Sequence, residues 1–199
     1  AARGMYGSAR SAPGGQIAWA TTLRHGRPQR MADLHWQQRR GQGTEVWMII
    51  VDASASTRRH GALSAAKGLL TGVFDDAYRQ RARLALLTAS GASPQWSRQG
   101  LKASAALQPW LEQLGAGGGT PLLAAIEQAR DWLRRRQRSH PEELQRCLVL
   151  TDGRVKGGAL QELMPCQTCV VDIERGPVRL GRTRVLAEQL GAEYRHIDD

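Results

Sequence analysis

Three stretches of this 199-residue chain place oxygen-bearing side chains where they could meet. Asp52, Ser54 and Ser56 stand at alternate positions directly after the apolar run Val46 to Val51. A glycine run, Gly117 to Gly119, delivers Thr120 just before Pro121, and the apolar run Cys147 to Leu150 leads through Thr151 into Asp152 and Gly153. Two carboxylates and three hydroxyls make an all-oxygen donor set. Lacking imidazole and thiolate, it suits a hard cation, Mg2+ or Mn2+. Alternate spacing lets a chain leaving a strand aim Asp52, Ser54 and Ser56 at one point, and the glycines let the next loop approach closely. Each residue alone also has an ordinary role: Asp52 or Asp152 as a cap or turn residue, the serines as loop residues, the glycines as flexible chain. Five such residues at successive element ends are what point to a metal.

The elements that must position them follow from hydrophobic patterning. Val46 to Val51 is apolar on both faces, as expected of an interior strand of a parallel sheet covered by helices. His60 to Tyr78 has helical spacing, Arg83 to Thr88 reads as the next strand, and Ala103 to Leu114 and Pro121 to Gln137 read as helices. Arg146 to Thr151, Thr168 to Ile173 and Tyr194 to Ile197 are further strands, with a helix over Arg182 to Leu190 closed by Gly191. Strands alternating with helices predict an α/β fold, a doubly wound, mainly parallel sheet flanked by helices. In such sheets ligands gather at the carboxyl ends of the strands, where the three stretches lie. Ahead of this domain (residues 45–199), residues 1–15 read as a flexible Gly/Ser/Ala/Arg arm. Residues 16–44 read as a β-extension and loop, with Ile17 to Leu23 and Leu34 to Trp36 alternating like strands that need cover from the main domain.

On these residues the chain resembles the von Willebrand factor A (integrin I-like) domains, whose metal-ion-dependent adhesion site has the pattern Asp52-x-Ser54-x-Ser56, Thr120, Asp152. Longer phrases are similar to the C-terminal domain of the magnesium chelatase D subunit: Asp52 to Ser56, Ala66-Lys67-Gly68, Gly117 to Leu122, and Leu150-Thr151-Asp152-Gly153-Arg154, with Ala20 to Arg24 and Asp33-Leu34 upstream. The resemblance implies that Ser54, Ser56 and Thr120 would bind the ion directly and that Asp52 and Asp152 would act mostly through water. It also implies that an acidic side chain of a partner would complete the octahedron. The expected partners are an ATPase subunit and the large subunit of a magnesium- or cobalt-chelatase-like complex in tetrapyrrole (cobalamin or chlorophyll-type) biosynthesis. A stand-alone adhesion or scaffold module is the alternative. Ala55 replaces the glycine usual between the serines, and Thr57 replaces a common methionine. The D subunit's ATPase-like module and acidic, proline-rich linker are not in these residues, nor is a G-x-x-x-x-G-K-[ST] phosphate loop. A non-catalytic role beside a separate ATPase is therefore expected.

Composition narrows the rest. The net charge of +10 is carried almost wholly by arginine, since only Lys67, Lys102 and Lys156 are lysines. That charge favours acidic partners, but the cations are dispersed and no aromatic-basic reading surface supports nucleic acid. The run Arg134 to Arg138 suits either a solvated helix end or a docking patch. No apolar stretch is long enough to span a bilayer and no secretory signal is recognisable, so a cytoplasmic protein is expected. The five scattered histidines offer no nucleophile paired with a base. Cys166 and Cys169 form a lone C-x-x-C without the further ligands zinc needs. With Cys147 they read first as structural thiols, with redox activity less favoured.

Overall fold

The computed structural model describes residues 16–37, 44–53, 61–102, 110, 114, 121–154, 160, 162–175 and 180–199. The chain divides into two compact units, Ala1–Gly43 and Thr44–Asp199. The arm expected over residues 1–15 lies outside the described residues, as does most of the helix expected over Ala103 to Leu114.

In the first unit, strand β1 (Gln16–Ile17) pairs antiparallel with β2 (Trp36–Gln37), with Ile17 opposite Trp36. Between them run helix α1 (Trp19–Arg24) and a 3-10 turn over Met31–Asp33. The strand expected from Ile17 to Leu23 is therefore mostly a helix. Ala18 and Thr22, four residues apart, are the buried pair, whereas Leu23 is 60% exposed. Burial thus follows the helical spacing and overrides the alternation read from the sequence. The Thr22 hydroxyl accepts the backbone N–H of His35 at 3.0 Å, and the backbone N–H of Ala18 donates to the His35 carbonyl at 2.8 Å. These bonds tie the start of α1 and its Thr22 to the segment leading into β2.

The second unit is built on a six-stranded sheet of β3 (Glu45–Asp52), β4 (Arg83–Ala89), β5 (Gln95–Lys102), β6 (Leu144–Thr151), β7 (Gln167–Asp172) and β8 (Glu193–His196). Their order across the sheet is β5-β4-β3-β6-β7-β8, all parallel except the antiparallel edge strand β5. Val46 to Val51 lies in the interior, between β4 and β6, as its two-sided apolar pattern predicts. Helix α2 (Ala62–Arg79) presents Ala62, Ala66, Leu70, Phe74 and Ala77 to one face, where they pack with Ile49, Val51, Leu84, Leu86 and Leu150. Helix α3 (Leu122–Ser139) and helix α4 (Arg182–Leu190) cover the other face. There Leu122, Ile126, Leu133, Leu186 and Leu190 meet Met48, Ile50, Leu87 and Val149. Gly191, in the left-handed region at φ 64°, ends α4.

Strand β5 was not anticipated from the sequence. Its register slips against β4 between Leu84 and Ala85 and again between Leu86 and Leu87. Exposed and covered positions still alternate from Gln95 to Gly100, but the covered ones are Trp96, Arg98 and Gly100, so no apolar period marks the strand. Trp96, on this strand, donates its ring N–H to the Gln128 side chain at 3.2 Å and packs beside Trp132. Trp110 donates to the Ser97 hydroxyl at 2.7 Å and packs beside Phe74.

Candidate metal centre

The chain enters the sheet at β3, goes outward to β4 and β5, then crosses back to place β6, β7 and β8 on the other side of β3. The order of strands therefore reverses between β3 and β6. Helices leaving neighbouring strands at such a reversal lie on opposite faces and open a crevice at the carboxyl edge. Asp52 is the last residue of β3, and Asp152 directly follows β6. The topology thus brings these two site residues, 100 positions apart in the chain, to the ends of adjacent parallel strands. Asp52 is wholly buried and Asp152 is 4% exposed. Ser54, Ser56 and Thr120 lie outside the described residues.

Thr151 joins the two carboxylate positions. Its hydroxyl donates to Asp52 Oδ2 at 2.8 Å and accepts the Gly153 N–H at 3.0 Å. One side chain so orients the Asp52 carboxylate and the turn that carries Asp152. The other carboxylate is held from beyond: Asp152 Oδ1 accepts the Arg154 N–H at 3.0 Å, and the Arg154 guanidinium lies 3.9 Å from Asp152 Oδ2. The turn sits tightly against the start of α4. Gly153, at φ 70°, leaves no room for a side chain, because an added Cβ would lie 2.5 Å from the Thr183 hydroxyl and 2.7 Å from the Thr183 backbone nitrogen.

A second acidic group, absent from the sequence reading, adjoins this edge. Asp172 at the end of β7 and Glu174 just beyond it are both almost fully buried. Asp172 accepts the Glu174 N–H at 2.9 Å and the Tyr194 hydroxyl at 3.0 Å. Glu174 accepts the Arg154 guanidinium at 3.3 Å and the Leu180 N–H at 2.8 Å, and its carbonyl accepts His196 Nε2–H at 3.0 Å. Burial raises the Tyr194 phenol above its ordinary value, and its bond to the Asp172 carboxylate adds to the shift. Arg154 thereby links the carboxylate after β6 to the one after β7. The signal available in the sequence was the triplet Asp172-Ile173-Glu174 closing an apolar strand, the same kind of ending that marked Asp152.

The donor chemistry fits a hard divalent ion. Buried carboxylates at a crevice are costly unless they meet cations or donors. Among the described residues no three His, Cys, Asp or Glu side chains form a metal group by themselves. A hard-cation site at this edge would need hydroxyl oxygens beside the two aspartates, the composition expected of Asp52, Ser54, Ser56, Thr120 and Asp152. Oxygen-only ligation of this kind belongs to Mg2+ rather than to zinc.

Residues 47–154, spanning β3 through the Asp152 turn, match the model of the von Willebrand factor type A domain. The chain belongs to that family. This von Willebrand A domain is 28% identical over 171 residues to an uncharacterized protein of Mycobacterium tuberculosis, covering 80% of this chain and 27% of that protein. It is 33% identical over 98 residues to the magnesium-chelatase 60 kDa subunit of Rhodobacter capsulatus, covering 49% of this chain and 17% of that subunit. The chain thus spans about a quarter or less of the length of these curated relatives. Its fold is similar to a von Willebrand factor type A protein from Catenulispora acidiphila (TM-score 0.62, 22% identity, 79% of this chain and 39% of that one). It is also similar to an aerotolerance-related membrane protein from Bacteroides fragilis (TM-score 0.59, 20% identity, 79% and 92%). No described helix of this A domain is long and apolar enough to cross a membrane.

The three cysteines divide between the two faces of the sheet. Cys147 and Cys166 belong to the face covered by α3 and α4, whereas Cys169 packs on the face covered by α2. The two thiols of the C-x-x-C therefore point to opposite sides of β7, and all three cysteines are free. Burial pushes the Cys166 thiol up to about 11. Alkylation of Cys166 in the folded domain is thus expected to accelerate up to about pH 11, roughly two units above an ordinary thiol, as followed by mass spectrometry of iodoacetamide-treated protein. Equal rates for Cys166 and a free cysteine at pH 8 would show that the site is open. Because the folded state keeps a proton that the unfolded chain has released, this group weakens the fold as pH rises from about 9 to 11 and does nothing near neutrality.

Proposed function

We propose that this chain is the metal-dependent interaction domain of a magnesium- or cobalt-chelatase-like complex, itself non-catalytic and cytoplasmic. In this role it couples a separate ATPase subunit to the large chelatase subunit in tetrapyrrole biosynthesis. The observation that carries the reading is the pair of buried carboxylates, Asp52 and Asp152, at the carboxyl ends of β3 and β6 and joined through Thr151. The 33% identity to the magnesium-chelatase 60 kDa subunit over about half of the chain supports the chelatase setting.

Ser54, Ser56 and Thr120 would hold Mg2+ directly, with Mn2+ as a substitute, and Asp52 and Asp152 would hold its water ligands. The bound ion would supply Lewis acidity toward an acidic side chain of the partner, since neutral hydroxyl ligands leave its charge largely unspent. The chain's own part is to preorganise the oxygens: Thr151 fixes one carboxylate and the Arg154 N–H the other. The net charge of +10 attracts acidic surfaces from a distance, which favours encounter with such a partner.

Capture of the ATPase and large chelatase subunits from the native organism, with Mg2+ or with EDTA, tests the reading. Both subunits are expected to be retained in Mg2+ and lost in EDTA. Metal-dependent retention of other proteins without either subunit would favour a stand-alone adhesion or scaffold module. Retention indifferent to EDTA would remove the metal bridge.

A further inference from the structure

The first unit contains a polar cavity of about 550 Å3 that the metal reading does not use. Its walls include His25, Arg27, Arg30, Asp33 and His35. The two imidazoles are stacked, with ring centroids 4.5 Å apart and planes 30° from parallel. His25 Nδ1–H donates to the Thr21 carbonyl at 2.9 Å, so in the neutral ring Nε2 is a lone-pair acceptor, and the His35 backbone N–H donates to the Thr22 hydroxyl at 3.0 Å.

Asp33 is the acid in this wall, and it is already committed. Its Oδ2 accepts the backbone N–H groups of Gln29 and Arg30, both at 2.9 Å, and these two bonds hold its carboxyl below the usual value. It forms no ion pair with the Arg27 or Arg30 guanidinium, and among the described residues neither arginine has an acidic partner. The cavity therefore gathers two permanent cations whose natural complement, an oxyanion, is not provided by the unit itself, with the stacked imidazoles beside them. Guanidinium groups match paired oxygens in a fork, and an imidazole Nε2 lone pair can accept the O–H of a partly protonated phosphoryl or carboxyl group. The volume falls within the range of small-molecule sites, about 300–1,000 Å3, and exceeds what one simple ion needs.

We propose that this cavity is a binding site for a small, multiply charged oxyanion, one bearing phosphoryl or carboxylate groups, held by Arg27 and Arg30 with His25 and His35. The site is independent of the metal centre and stands or falls separately from it.

The test uses the full chain at fixed pH, freed of metal beforehand over a chelating resin and with no soluble chelator present, so that metal plays no part. Pyrophosphate and citrate are titrated separately while the histidine side chains are followed by 15N–1H correlation spectra. The expected result is saturable movement of the His25 and His35 signals with His140 and His196 unmoved. In the double variant Arg27→Gln/Arg30→Gln, the dissociation constant is expected to rise by at least about tenfold. A response to pyrophosphate alone identifies a phosphate compound as the ligand class, a response to citrate alone a polycarboxylate, and a response to both a site that reads charge. The inference is overturned if neither probe saturates, if all histidines move together, or if the double variant binds as the parent does.

Discussion

Asp52→Asn is expected to weaken Mg2+ binding by roughly 10–100-fold while leaving the unfolding free energy within about 1 kcal/mol of the parent. The amide keeps the shape of the carboxylate and can still accept the Thr151 hydroxyl through its oxygen, so the contact that joins β3 to β6 survives. What is lost is a negative charge at a wholly buried position, the quantity that draws a divalent ion and orients its water. Asp52→Ala is a poorer probe. It also leaves the Thr151 hydroxyl without its acceptor, at a cost of about 1–3 kcal/mol, and so mixes a folding effect with a binding effect. Thr120→Ala should lose less affinity than Asp52→Asn, because water can replace one neutral ligand. Calorimetric Mg2+ titration of each variant, with urea unfolding as the control, decides the matter. Parent-like Mg2+ affinity in Asp52→Asn would mean that the carboxylate takes no part in holding metal.

Gly153→Ala should cost roughly 2–5 kcal/mol. The left-handed φ of 70° contributes about 1–2 kcal/mol for any residue with a Cβ, and forcing that carbon against α4 contributes about 1–3 kcal/mol. The second part is unavoidable, because one of the obstructing atoms is the Thr183 backbone nitrogen, 2.7 Å from the added carbon, and no rotamer can clear it. Gly181→Ala is the internal control. It has nearly the same φ, 66°, but nothing within 4 Å of the added Cβ, so only the conformational cost of about 1–2 kcal/mol should remain. Urea midpoints for the two variants separate the contributions, and equal losses would show that the close approach of the turn to α4 does not matter. Since the displaced turn carries Asp152, Gly153→Ala should weaken Mg2+ binding as well, whereas Gly181→Ala should not.

The main domain was legible because its interior strands carry their environment in their composition. Val46 to Val51 is apolar at consecutive positions, and only a strand covered on both faces tolerates that in water. The helix stripes were equally plain, as in the spacing from Ala66 through Leu70 to Phe74. Elements whose burial is partial were misread. Alternation from Ile17 to Leu23 suggested a strand, but the pair actually buried is Ala18 with Thr22, and a hydroxyl bond to the His35 amide holds the turn as a helix. Edge strand β5 escaped notice because its covered positions, Trp96, Arg98 and Gly100, do not form the apolar period that identifies strands.

By itself the sequence determined which chemical types it offers in series: carboxylates at 52 and 152 directly after apolar runs, and hydroxyls at 54, 56 and 120 in the segments between them. These follow from residue identity and short spacing, which need no knowledge of distant chain. The tertiary structure alone decided what joins them. Thr151 bridges Asp52 to the Gly153 turn across 99 residues of chain, and Arg154 reaches from Asp152 to Glu174. Such contacts depend on which strands become neighbours in the sheet. That order is set by burying both faces of the sheet under helices, a property of the whole domain rather than of any local stretch.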